Sequence, residues 1–230
     1  MPLHNIDIFE DLPNRLDKKV NPYVNLLIGG QLRSLPVCYG QSLKGKAGSW
    51  RETLREKMEI PPEKLILEIG VHKGKVIKNL ALDYPHWGFL GMDITFKRVV
   101  LSAEKLARAQ TKNAMILLGN AKHIAKVFAP GELDGVIIFF PDPWAKKKHQ
   151  MRNRLLNETF CRDLNSSLKQ GAFFWLKTDS EDYFRSVEAM VAGLGFKPSE
   201  QLFRQPYEST FEIRFRSFTL PTFEGFWTKG

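Results

Sequence analysis

Short apolar runs alternate with segments of helical period from about residue 64 onward. The runs predict five buried strands, at Leu65 to Ile69, Trp87 to Met92, Ala114 to Leu118, Gly135 to Phe140 and Ala172 to Leu176. Between the strands, apolar residues recur at helical spacing, as at Val76, Leu80 and Ala81, which predicts crossover helices. This alternation is typical of an α/β fold in which helices cover both faces of a mostly parallel sheet.

The pattern also predicts two elements near the end of the chain. A helix is expected to begin after Ser180, to bury Tyr183 and Val187, and to end at Gly193 and Gly195. Thr210 to Phe218 then alternates between polar and apolar residues, which predicts a late strand that joins the sheet edge in antiparallel orientation.

Residues 1–60 have a different pattern, rich in Asn, Pro and Gly. They predict an irregular arm with one short helix, which begins at a capping box formed by Ser49 and Glu52. Pro61 and Pro62 separate this helix from the first strand. We therefore expect an arm over residues 1–60 and a single domain over residues 61–230.

Composition narrows the class of protein. In 230 residues, 34 Lys and Arg oppose 25 Asp and Glu, a net charge of +9 that favours a polyanionic partner such as nucleic acid, or else serves solubility. No apolar run reaches the roughly 18 residues of a membrane helix, so no membrane contact is expected. Cys38 and Cys161 lack the spacing of metal ligands, and the first residues lack a signal pattern. We expect a cytoplasmic protein without a metal.

The first strand ends in an acid followed closely by glycine, with Glu68 and Gly70 at the turn into a helix. A nicotinamide site would show G-x-G-x-x-G, whereas only Gly70 and Gly74 are present. An acid before the glycine suits a cofactor with a positive charge and no phosphate, such as S-adenosylmethionine. The alternative is a purely structural glycine turn.

Polar residues also follow the next two strands. Asp93 comes at the end of the second strand, where a carboxylate binds ribose hydroxyls, and Asn120 follows the third, where an amide reaches the edge of an adenine. Each of the two residues could instead cap a helix. Together with Glu68, they place polar side chains at the ends of three successive strands. Such a group at one edge of a parallel sheet favours a ligand site there.

The most specific segment follows the fourth strand and reads Phe-Phe-Pro-Asp-Pro-Trp over residues 139–144. Pro141 and Pro143 restrict the backbone, so Asp142 is expected to be held rigidly beside Trp144, whose ring either stacks on a base or packs under the loop. A basic cluster follows, dense enough to contact several phosphates or else simply a solvated face: Lys146, Lys147, Lys148, Arg152 and Arg154.

Together these motifs resemble the tRNA (guanine-N7-)-methyltransferases, a branch of the class I S-adenosylmethionine-dependent enzymes with a Rossmann-like fold. The resemblance covers residues 65–215 and includes Thr178-Asp179 after the fifth strand and Ser209-Thr210-Phe211-Glu212 near the end. It implies methyl transfer to N7 of the variable-loop guanosine at tRNA position 46.

The resemblance also implies roles for individual residues. Those expected at the cofactor are Glu68, Gly70, Asp93, Asn120 and Asp142, with Asp142 also catalytic. Those expected to hold the guanosine are Lys146, Asp179, Ser209, Thr210, Phe211 and Glu212. The remaining basic residues, Lys147, Lys148, Arg152 and Arg154, are expected to contact RNA.

Two departures from the family pattern keep other functions open. His72 stands where the family usually has glycine, and Ser209-Thr210 replaces the usual T-K of T-K-F-E. One alternative is a methyltransferase that acts on an exocyclic amine of a base, because its N/D-P-P-aromatic loop is similar to Asp142-Pro143-Trp144. The other is a catalytically silent relative that binds RNA.

Overall fold

The computed structural model describes residues 22, 23, 26, 35–144 and 152–230. Lys146, Lys147 and Lys148, predicted to contact substrate or RNA, lie outside these residues. The chain divides into two compact units, residues 1–123 and 124–230. No helix of the described residues has both the length and the apolar character needed to cross a membrane.

The first unit is built from four parallel strands in the order β1, β4, β3, β2. Its elements are β1 (Val37–Tyr39), α1 (Trp50–Met58), β2 (Leu65–Ile69), α2 (Lys75–Asp83), β3 (Gly88–Asp93), α3 (Phe96–Arg108) and β4 (Ala114–Leu118). Short 3-10 helices occupy Gly40–Leu43 and Ala121–His123. Strands β2, β3 and β4 are buried at every position, so the predicted apolar runs form a core in which all ligand-binding groups must come from strand ends.

Helix α1 begins where predicted, but the predicted capping box does not form. Ser49 is the N-cap residue, yet its side chain makes no cap hydrogen bond and donates from Oγ to the Lys46 carbonyl at 3.0 Å. Within residues 1–60, Val37–Tyr39 also adds a short strand, with Val37 opposite Ile116 of β4.

The second unit contains the rest of the chain. Its elements are α4 (Ile124–Val127), β5 (Leu133–Phe139), α5 (Glu158–Ser167), β6 (Leu168–Thr178), α6 (Glu181–Gly193), β7 (Phe196–Pro198), α7 (Thr210–Ser217) and β8 (Phe223–Lys229). Strands β5 and β6 are parallel, and β8 lies antiparallel between β6 and β7. The predicted α/β class with mostly parallel strands and late antiparallel pairing is confirmed.

The predicted strand over Thr210 to Phe218 is wrong, because this segment is helix α7. Ser209 and Glu212 form a reciprocal capping box, in which Ser209 Oγ accepts from the Glu212 amide at 3.0 Å and Glu212 Oε2 accepts from the Ser209 amide at 3.4 Å. These two hydrogen bonds stabilise the first turn of a helix. The segment is therefore helical although its polar and apolar residues alternate as in a strand. The late antiparallel strand is instead β8.

Candidate functional site

In the first unit, Glu68 is a buried carboxyl group next to the carboxyl end of an apolar strand. It is 5% exposed, and its Oε2 has no hydrogen-bond partner among the described residues. Burial raises the pKa of Glu68 to about 8, a change that the Ile77 amide opposes and the nearby Asp93 carboxylate reinforces. A buried acceptor without a donor is costly in a protein interior, which favours a ligand that supplies the donor.

Asp93 is the last residue of β3 and is 4% exposed. Its Oδ1 accepts from the Thr95 amide at 2.9 Å, and Thr95, not Asp93, is the N-cap of α3. Its Oδ2 makes no hydrogen bond within the described chain and lies 3.8 Å from Nη1 of Arg98. Burial raises the pKa of Asp93, against the Thr95 amide and Arg98. One carboxyl oxygen of Asp93 thus accepts no hydrogen bond within the described residues, and its contact with a ribose stays a prediction.

The turn after β2 leaves open space at its glycine. Gly70 has φ +83°, and no heavy atom lies within 4 Å of the position that a Cβ would take. His72 has φ +50°, so it has the left-handed backbone that glycine adopts most easily, and its carbonyl accepts from Ser102 Oγ at 3.3 Å. Burial lowers the pKa of His72, and the nearby Arg98 adds to the effect. His72 thus adopts a backbone conformation that glycine also adopts easily, and adds a ring.

Asn120 caps the short 3-10 helix that follows it, which was the alternative to an adenine contact. Its Oδ1 accepts from the Lys122 amide at 3.1 Å, and its carbonyl accepts from the His123 amide at 3.0 Å. The side-chain oxygen therefore supports the 3-10 helix over Ala121–His123. Contact between the amide nitrogen and an adenine stays a prediction.

The first unit fits the cofactor that the resemblance implies. S-adenosylmethionine carries a sulfonium, an ammonium and ribose hydroxyls, all of which need anionic or polar acceptors. Glu68 Oε2 and Asp93 Oδ2 are buried oxygens that form no hydrogen bond within the described residues, and Gly70 leaves room beside the backbone. These three features are what such a ligand requires.

In the second unit, Asp142 is exposed on a loop with two left-handed residues. Phe140 has φ +52° and Trp144 has φ +46°, and Asp142 Oδ1 accepts from the Trp144 amide at 3.0 Å. This Asx turn, between two prolines, fixes the loop, so the exposed carboxylate is held in one orientation.

Arg154 lies under this loop, although the sequence predicts that it contacts RNA. It is 8% exposed, and its Nε donates to the Pro143 carbonyl at 2.8 Å. Its guanidinium carbon lies 4.5 Å from the centre of the Tyr183 ring, and the Tyr183 hydroxyl accepts from the Leu156 amide at 2.9 Å. A buried, bonded guanidinium supports the loop and is hidden from phosphates. Arg152 is exposed, and its RNA contact stays a prediction.

Asp179 lies beside this loop at the end of the neighbouring strand. Strands β5 and β6 are parallel with Phe139 opposite Lys177, so Asp142 and Asp179 both follow carboxyl ends at the same edge. Asp179 is exposed and is not the helix cap, because the N-cap is Ser180, whose Oγ accepts from the Tyr183 amide at 3.4 Å. The structure therefore presents two exposed acids on adjacent strand ends.

Glu212, predicted to hold the guanosine, is instead 7% exposed and paired with Lys177. Lys177 is 1% exposed, and its Nζ donates to both carboxyl oxygens of Glu212, at 2.9 and 3.1 Å, and to the Pro206 carbonyl at 2.9 Å. The burial of Tyr183 was predicted, but neither its bond to Leu156 nor the role of Lys177 was. A lysine that directly follows the apolar run Ala172 to Leu176 was the available signal. Of the other predicted guanosine ligands, Thr210 and Phe211 are exposed and Ser209 is the cap of α7.

Comparison with known proteins gives the family. Residues 62–209 match the model of a methyltransferase family, Methyltransf_4. A tRNA (guanine-N(7)-)-methyltransferase of Thermus thermophilus is 40% identical over 133 residues. That match covers 56% of this chain and only 42% of the relative's length.

Solved structures agree in fold. The 16S rRNA methyltransferase KamB superimposes with a TM-score of 0.57 at 15% identity, over 78% of this chain and 92% of KamB. A SAM-dependent methyltransferase from Aquifex aeolicus gives 0.51 at 12% identity, over 94% of this chain and all of that one. At these identities the likeness establishes the fold alone, whereas the family model spans well over half of the sequence. The chain belongs to the Methyltransf_4 family of methyltransferases.

Proposed function

We propose that this protein transfers a methyl group from S-adenosylmethionine to N7 of a guanosine in tRNA, in the cytoplasm. The observation that carries the proposal is the pair of exposed acids, Asp142 and Asp179, held at adjacent strand ends. The 40% identity to a relative with this activity supports it.

Methyl transfer to guanine N7 requires no general acid or base from the protein. Guanine N7 has a lone pair and no proton, so the attack needs alignment and charge stabilisation only. When bound, S-adenosylmethionine supplies a methyl group on a positively charged sulfur. The purine becomes cationic as it is methylated, and a fixed carboxylate at Asp142 stabilises that charge.

The two units have different tasks in this proposal. Glu68 and Asp93 provide acceptors for the cofactor's ammonium and ribose. Asp142 and Asp179 accept hydrogen bonds from guanine N–H groups, and the net charge of +9 attracts the tRNA phosphates. Lys146, Lys147, Lys148 and Arg152 are the proposed contacts for RNA, whereas Arg154 supports the loop.

The test uses two tRNA transcripts, one ordinary and one made with 7-deazaguanosine, together with labelled S-adenosylmethionine. The ordinary transcript should be methylated and then cleaved at 7-methylguanosine after reduction and aniline treatment. The 7-deaza transcript keeps every exocyclic amine but lacks N7, so it should accept no label. Equal labelling of both would establish the exocyclic-amine alternative, and labelling of neither would establish the silent RNA-binding relative.

A further inference from the structure

Helices α2 and α3 of the first unit carry cations to which the family resemblance gives no role. Residues 71–82 contain three lysines and no acid, and residues 94–108 contain four cations and one acid, Glu104. We call Lys105 and the four cations that repel it the α2–α3 cluster: Lys73, Lys75, Lys78, Lys105 and Arg108. Lys73 and Arg108 are exposed, and the other three are half-buried. The cluster belongs to a different unit from the basic residues after β5.

The two helices pack against each other where α2 begins. A Cβ on Gly74 would lie 2.9 Å from Cα of Ser102 on α3, so this approach of the backbones requires glycine. Lys73 and Lys75 flank Gly74 in the sequence. Lys105 follows Ser102 by about one helical turn. The contact between the two helices therefore brings lysines of both together.

The like charges of the cluster repel one another. Burial lowers the pKa of Lys105, and the other four cations of the cluster lower it further. The nearby acids are already engaged, since Glu104 pairs with Arg108 at 2.9 Å and Asp93 is buried 3.8 Å from Arg98. Within the described residues, no carboxylate forms an ion pair with any of the four lysines. An anionic partner would relieve this repulsion.

The composition of this surface favours RNA phosphates over a protein or a membrane. Within residues 71–81 and 94–108, all of which the structure describes, no large apolar side chain is exposed. Leu82 is exposed, but it lies at the far end of α2 beside Asp83. Protein interfaces are depleted of lysine around an apolar centre, and a helix that binds a membrane surface needs exposed apolar side chains. Phosphate contacts need only cations.

We propose that the α2–α3 cluster is a binding surface of the first unit for phosphates of the tRNA substrate. Lys73 directly follows His72 in the turn after β2, so the surface adjoins the turn proposed to bind the cofactor. Its contacts are to phosphates and are independent of base sequence. This inference rests on the proposed function for the identity of its RNA, but its test measures binding and not methyl transfer.

The test measures tRNA affinity at several salt concentrations for wild type and for a double variant, Lys78→Gln with Lys105→Gln, which loses one cation from each helix. The loss of two phosphate contacts predicts at least about fivefold weaker binding near 0.1 M salt and a salt slope shallower by about 1.5 units. A fully paired RNA duplex should lose affinity to a similar degree, because its phosphates make the same contacts. Affinity for S-adenosylmethionine should stay unchanged, and the melting temperature should not fall, because repulsion is relieved.

The matched control is a second double variant, Lys64→Gln with Lys112→Gln. It removes two cations from the same unit at the opposite ends of the strands, since Lys64 precedes β2 and Lys112 precedes β4. It should bind tRNA with nearly wild-type affinity and salt slope. Equal losses in the two double variants would overturn the proposal, because net charge alone would then explain them.

Wild-type tRNA affinity and salt slope in Lys78→Gln with Lys105→Gln would also overturn the proposal. So would a loss confined to phosphatidylserine vesicles or to polyglutamate, because the surface would then bind a membrane or an acidic protein. If wild type fails to methylate N7 but this variant still loses tRNA affinity, the phosphate surface stands and the proposed function fails.

Discussion

The two units treat buried charge in opposite ways. In the first, Glu68 and Asp93 are buried with carboxyl oxygens that accept no hydrogen bond within the described residues, and Asp93 has only the partly exposed Arg98 at 3.8 Å as a counter-charge. In the second, the buried charges are paired or bonded, Lys177 with Glu212 and Arg154 with the Pro143 carbonyl. The acids proposed to meet the base, Asp142 and Asp179, are exposed there.

This difference indicates in which unit the buried polar groups have their hydrogen bonds without a ligand. Unpaired buried acceptors raise the free energy of the ligand-free protein, and a cofactor that supplies donors recovers it. A satisfied buried network instead holds exposed groups in place at all times. The first unit thus offers buried acceptors to a ligand, and the second presents exposed acids on a surface held by bonded side chains.

The largest expected effect comes from breaking the buried pair of the second unit. Lys177→Met leaves the Glu212 carboxylate buried and unpaired, so the free energy of unfolding should fall by about 3–5 kcal/mol in urea titrations. Lys169→Met is the matched control, because Lys169 on the same strand forms a half-exposed pair with Asp134 and should cost under about 1 kcal/mol. Equal losses of unfolding free energy in the two variants would mean that the buried pair of Lys177 and Glu212 contributes no more to stability than an exposed pair.

Asp142→Asn tests the exposed carboxylate on the loop that Arg154 supports. Methyl transfer in single turnovers should fall about 10²–10³-fold, because a preorganised charge is lost. Thermal stability should stay unchanged, because Asp142 is exposed and the new amide oxygen can still accept from Trp144. Asp182→Asn, an exposed acid in the first turn of α6, is the control. A rate within about threefold of wild type would reduce Asp142 to a turn residue.

Arg154→Lys separates loop support from RNA contact. Lysine keeps the charge but loses the Nε–H bond to Pro143, so kcat should fall about tenfold while KM for tRNA and the salt slope stay near wild type. Arg185→Lys is the control, since Arg185 lies 5.6 Å from the Phe184 ring on α6 but is exposed. A raised KM with a shallower salt slope would restore Arg154 as a phosphate contact.

Much of the fold could be predicted because buried parallel strands are almost continuously apolar. The five predicted strands all exist, whereas β1 is three residues long and β8 contains Gly225 and several polar residues. Such short or mixed strands depend on their neighbours for pairing, as Val37 does on Ile116. Local pattern carries little information about them.

The two capping boxes show how local signals mislead. Ser49 and Glu52 have the required spacing, but Ser49 bonds to Lys46 instead. Ser209 and Glu212 have the same spacing and do form the box, against an alternation that predicted a strand. On α7 that alternation does not match burial, because Phe211 and Ile213 are exposed.

The acids at strand ends could be predicted from position, although their roles stay predictions. The side-chain pairs that support the elements carrying these acids could not be predicted, because each pair joins residues far apart in sequence. Lys177 and Glu212 are 35 positions apart, and Arg154 reaches Tyr183 across 29 positions, from a segment that looked like a solvated basic face. Only the folded arrangement distinguishes a buried arginine from an exposed one.

The last test examines the unsatisfied acid of the first unit through pH. With the folded pKa of Glu68 near 8 and an ordinary value of 4.5 when unfolded, the folded state holds an extra proton between these values. Wild-type stability should therefore fall as pH rises from about 5 to 8, with Glu68 contributing up to about 1.4 kcal/mol per pH unit. Glu68→Gln should remove that contribution and be more stable than wild type at pH 8, while it binds S-adenosylmethionine more weakly. Glu56→Gln, which removes an exposed carboxylate from α1, should do neither. Parallel pH profiles for wild type and Glu68→Gln would show that Glu68 is already satisfied without a ligand, and the contrast between the two units would disappear.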